Sequence, residues 1–159
     1  MSKKKLFAAV ALVVAAVSLF VIINNRQNTD TLVMKDFQTG EVYLEVPLAE
    51  DHLFSISYTH SVNKSLVEEY YTITPKDGII LVKARYNNFG AGVATELTDR
   101  QYLSYDDEGY MVINNMHVPI TQLVYRVGTV SDHILHIGAD SWHLKEYAPE
   151  LTSVAFELK

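Results

Sequence analysis

An all-β domain, built as an antiparallel β-sandwich or partly open barrel and preceded by one N-terminal transmembrane helix, is the fold class this sequence predicts. Three observations predict it. Short segments rich in Val, Ile, Tyr and Phe recur from Leu32 onward, with Gly, Asp, Asn or Pro between them. Within one of these, residues 53–59, Phe54, Ile56 and Tyr58 alternate with Leu53, Ser55, Ser57 and Thr59, so one face packs and the other meets solvent or a site. Finally, Lys3, Lys4 and Lys5 precede an uncharged run over residues 6–23.

That run is long enough to cross a bilayer, since eighteen residues of helix rise roughly 27 Å. Three lysines before it and Arg26 just after it favour a cytoplasmic N-terminus and an extracytoplasmic remainder. The A-x-A-like site Ala16-Val17-Ser18 lies inside the run, which leaves an uncleaved anchor and a removed signal both open. The protein is then single-pass in the cell membrane, or secreted if the segment is cleaved. Absence of cysteine excludes a lipoprotein anchor and a disulfide framework. The chain divides into a signal-anchor or signal segment over 1–26, a tether over 27–31 and an extracytoplasmic β domain over 32–159.

In order, the clearest strands are 42–46, 53–59, 67–74 and 79–86, followed by 102–105, 110–113, 123–127, 133–137 and 154–158, with one helical turn near 94–103. Pro75-Lys-Asp-Gly78 and Asp106-Asp-Glu-Gly109 have hairpin chemistry. The second is a solvated tip, because its oxygens are too few and too closely spaced for an EF-hand loop. Beyond Ile23 there are nineteen acidic and ten basic residues, a net charge of −9. Nucleic acid and anionic lipid, which reward basic surfaces, are excluded as partners.

The richest chemistry lies in YTHSVNKSLVEEYY, residues 58–71. If the connection within it is tight, His60 and Glu69 come from neighbouring strands and meet side by side, as a functional site or as a structural pair fixing a strand crossing. Alternation sends Glu68 and Glu69 to opposite faces, so only one of them joins His60. His133 and His136 are three apart and also face opposite sides. Two imidazoles and a carboxylate from His60, Glu69 and His133 could hold zinc. They lack a local signature such as H-E-x-x-H, so no metal ligands are assigned and no cofactor is predicted. Gly90 and Gly92 could present N–H groups to an anion, or simply permit positive φ. Ser61 points away from the adjacent His60 on an extended chain, which argues against a Ser-His hydrolase.

Three runs, YTHSVNKSLVEEYY, RYNNFGAGVATE and YRVGTVSDHIL, resemble the bacterial domain of unknown function 1850 family. The matching units are His60-Ser61-Val62, Glu69-Tyr70, Gly90-Ala91-Gly92 and His133, while Asn63 and Leu66 depart from the family pattern. The resemblance implies a small exported protein associated with TRAP-type transporters of the TAXI class, which take up small organic acids. The implied role is that of a non-enzymatic accessory protein whose partners are the transporter subunits or the solute-binding protein. The alternative is an extracytoplasmic small-molecule- or metal-binding protein, or an enzyme, using a His60/Glu69 site.

Overall fold

The computed structural model describes residues 30–60, 64–87, 97–98 and 100–159. Residues 1–26, which carry the expected transmembrane helix, lie outside these, as do Ser61, Gly90 and Gly92. Among the described residues no helix is long and apolar enough to cross a membrane.

Among the described residues, twelve strands form two antiparallel sheets. The smaller sheet has the order β2-β1-β12-β9, from β1 (Thr31–Asp36), β2 (Val42–Pro47), β9 (Val124–Arg126) and β12 (Ser153–Leu158). The larger runs β11-β10-β3-β4-β5-β7-β6. Its strands are β3 (Leu53–Thr59), β4 (Leu66–Thr74), β5 (Gly78–Tyr86), β6 (Tyr102–Tyr105), β7 (Met111–Asn114), β10 (Ile134–Ile137) and β11 (Asp140–His143), while β8 (Val118–Ile120) pairs with β5. Leu32, Met34, Val154 and Phe156 of the smaller sheet share one buried apolar cluster with Phe54, Ile56, Tyr71 and Leu135 of the larger. The inward parity of 53–59 is therefore Phe54 and Ile56, as the alternation requires. Each fully buried side chain of this size contributes about 1.5–3 kcal/mol, so a core assembled from both sheets holds a chain that has no disulfides.

Both expected hairpins form. Thr74 pairs with Gly78 across the first. In the second, Asp106 accepts N–H bonds from Glu108 (3.0 Å) and Tyr110 (2.9 Å), and Gly109 supplies the positive φ of 83° that the turn needs. Strands β1, β8 and β11 are additions to the expected set. The first is a continuous apolar run without alternation, and the other two have three and four residues. Thr31, assigned to the tether, belongs to β1, where its N–H donates to the Lys159 carbonyl at 3.1 Å. Tyr102 and Leu103 are strand residues, which corrects that end of the expected helical turn. A 3-10 turn occurs instead at Leu144–Glu146.

The two ends of the domain differ. The chain enters beside His52, just before β3, where Asp30 Oδ2 lies 3.2 Å from the imidazole Nε2. At the far end β3 finishes, β4 begins, β5 finishes opposite Val67, and β10 begins opposite Ser57. All three family-like runs have described residues at that far end.

Candidate functional site

The inward face of the larger sheet is apolar except at one row. Pairing aligns Leu135, Ile56, Glu69, Ala84 and Ile113 side by side. Ile56 and Ala84, which flank Glu69, are both 0% exposed. A carboxyl group placed there is costly unless it is hydrogen-bonded. Its donors are phenols. The Tyr71 hydroxyl, two residues along β4, lies 3.1 Å from Glu69 Oε2, and Tyr125, reaching across from β9 of the other sheet, donates to it at 2.6 Å. The two phenol oxygens are 2.8 Å apart. Two phenol protons cannot fill three contacts, so the shorter pair defines the chain: Tyr71 donates to Tyr125 and Tyr125 to Glu69.

One row nearer the far end, Tyr58, Val67 and Tyr86 pair across β3, β4 and β5. His133, just before β10, packs its ring 5.0 Å from Tyr58 and 5.4 Å from Tyr125. Tyr58, Glu69, Tyr86, Tyr125 and His133 are partly exposed, so solvent reaches this row. Burial, and next to it the Glu69 charge, pushes the Tyr86 phenol up to about 12 and raises those of Tyr58, Tyr71 and Tyr125 as well. All four remain protonated and can donate. Burial lowers the pKa of His133 from 6.5, against the opposing pull of Asp132, and keeps the ring neutral near pH 7. Its Nδ1 is buried and finds no hydrogen-bond partner among the described residues.

The expected side-by-side meeting of His60 and Glu69 does not occur. The His60 N–H donates to the Ser65 carbonyl at 2.8 Å and closes the β3–β4 connection, so Thr59 pairs with Leu66 and Glu69 with Ile56. Glu69 thus sits four residues from His60 along the strand direction, roughly 13 Å at the strand rise. His60 borders a cleft of about 490 Å³ with Thr59, Lys64, Val130 and Ser131. Glu69 and His133 do share a neighbour, Tyr125. Among the described residues no three His, Asp or Glu side chains gather as a metal site. His133 and His136 take opposite faces: Nε2 of His136 is 2.8 Å from Ser57 Oγ on the outward side.

Tyr58, Tyr71, Tyr86 and Tyr125 are not among the candidate site residues that the sequence offers. Parity carried a partial signal, because Glu69, Tyr71 and Ile73 alternate on one face of β4. No local pattern points to Tyr125. Its loop successor is constrained as well: a Cβ on Gly128 would stand 2.5 Å from the Ser131 carbonyl oxygen, closer than any side chain tolerates. The tight turn that leads to His133 therefore needs glycine there.

Outward, Glu68 accepts from Ser55 at 3.0 Å and lies 3.9 Å from Arg85. Arg85 also binds Asp106 and Glu108, each at 2.6 Å, and stacks over the Tyr110 ring. These groups are fully engaged with one another. No curated protein and no solved structure matches the chain. The model of the domain of unknown function DUF1850 matches residues 54–144, a span that opens in β3, contains Glu69, Tyr125 and His133, and ends just past β11. With more than half of its length so matched, the chain belongs to the DUF1850 family.

Proposed function

We propose that the protein is a membrane-tethered extracytoplasmic accessory protein of a TRAP-type TAXI transporter for small organic acids, and that it works without chemistry of its own by contacting the solute-binding protein. The observation that supports this choice of partner is the polarity of the domain. The chain enters at the His52 end, whereas each family-like run has described residues at the opposite end of β3, seven residues and roughly 20 Å away. A short tether before β1 keeps the first end near the bilayer. The second, with Val130 86% exposed at its rim, faces outward to a soluble partner, and confinement at the membrane raises its effective concentration. The two-sheet sandwich acts as a spacer between anchor and contact surface.

Photo-cross-linking in intact cells tests this reading. A photoreactive residue at Val130 is expected to capture the solute-binding protein, and one at Lys76, in the hairpin at the opposite end, is expected not to. Capture at Lys76 alone, or of the membrane subunits alone from Val130, would overturn the assignment. A second reading, a small-molecule-binding domain, is favoured by the partly exposed Glu69, Tyr125 and His133 group, which replaces the His60/Glu69 site expected from sequence.

A further inference from the structure

We propose that the inward far end of the domain, around Glu69, binds an organic ammonium ion. The inference rests on the small-molecule-binding reading and supplies its ligand class. Four phenol rings and one imidazole stand around a single carboxyl group. Glu69 raises the phenols of Tyr58, Tyr71, Tyr86 and Tyr125 through its charge, which places all four within its electrostatic reach.

Ring faces and a carboxylate present the same sign of potential, and aromatic surrounds of this kind recognise alkylated ammonium groups. Among the described residues Glu69 forms no ion pair. Burial keeps His133 neutral, so it adds no positive charge. A carboxylate ligand would meet like charge at Glu69 with nothing to offset it. A site built on Glu69 is thus unsuited to an organic acid, even if the transporter it assists carries one.

The test uses the full-length protein in a maltoside detergent free of choline lipids, with tyrosine rings labelled for NMR. Choline chloride and n-butylammonium chloride are titrated against sodium butyrate at matched ionic strength. Saturable shifts at Tyr58, Tyr86 and Tyr125 with the ammonium probes are expected, with none for butyrate. Glu69→Gln should weaken binding about tenfold, and Tyr58→Leu, which leaves the chain from Tyr71 through Tyr125 to Glu69 in place, about threefold. Glu68→Gln on the outward face should bind as wild type. Absence of saturable shifts with both ammonium probes in the wild-type protein would overturn the proposal, as would equal binding by Glu69→Gln or preference for butyrate. Because the readout is binding to the isolated protein, its failure is distinct from failure of the cross-link to the solute-binding protein.

Discussion

Glu68 and Glu69 are neighbours in sequence and opposites in environment. Glu68 faces outward into a ladder where Ser55, Arg85, Asp106 and Glu108 satisfy one another. Glu69 faces inward between two fully buried apolar residues and depends on phenols from two sheets. The outward network ties three carboxylates to the one Arg85 guanidinium and serves as scaffold. The inward one concentrates one unbalanced charge among polarisable rings at the end where three strands of the larger sheet open, and an arrangement that costs stability without returning an ion pair points to use.

The largest expected contrast is in stability. Tyr125→Ala removes a ring packed against Tyr58, His133 and Phe156 and takes the shorter donor from Glu69. It should cost about 3 kcal/mol in chemical denaturation. Arg85→Ala breaks the outward ladder, in which Glu108 is exposed while Arg85 and Glu68 are each only 16% exposed, and should cost about 1–2 kcal/mol, a loss that shrinks as salt is raised. Equal, salt-independent losses would erase the distinction between the two faces.

A smaller effect separates the faces by pH. The folded-state pKa of His133 is lowered from 6.5 by burial, so folding favours the neutral ring. Its stability contribution is complete above pH 6.5 and is lost as pH falls below that value toward the lowered folded pKa. Asp106 on the outward face is lowered from 3.8 by its Arg85 and backbone hydrogen bonds, which outweigh burial, and its contribution is present above that pH and lost below it. A denaturation series over pH should therefore show two separate declines. His133→Gln should remove the one that begins near neutrality, and Asp106→Asn should reduce the acidic one, to which Asp36 and Asp132 also contribute. A single decline insensitive to either substitution would contradict the assignment.

Much of this contrast was legible in the sequence. Two-residue alternation alone separates Glu68 from Glu69 and His133 from His136, and residues 53–59 match β3 at both bounds. Register was not legible. A connection closed by His60 and Ser65 places Glu69 opposite Ile56, and one residue more or less in that turn would shift every pair along β4. Tyr125 is 56 residues from Glu69 and on the other sheet, so only the packing of the two sheets brings its hydroxyl to the carboxyl. The charge on β4 is visible from composition, whereas its phenol partners follow from tertiary structure.

The central claim is that Glu69 works and Glu68 supports. Uptake of labelled organic acids in cells lacking the protein, complemented at matched protein levels by wild type, Glu69→Gln or Glu68→Gln, tests it most directly. The account predicts that deletion abolishes uptake, that wild type and Glu68→Gln restore it, and that Glu69→Gln does not. Full restoration by Glu69→Gln, or uptake unchanged by deletion, would contradict it.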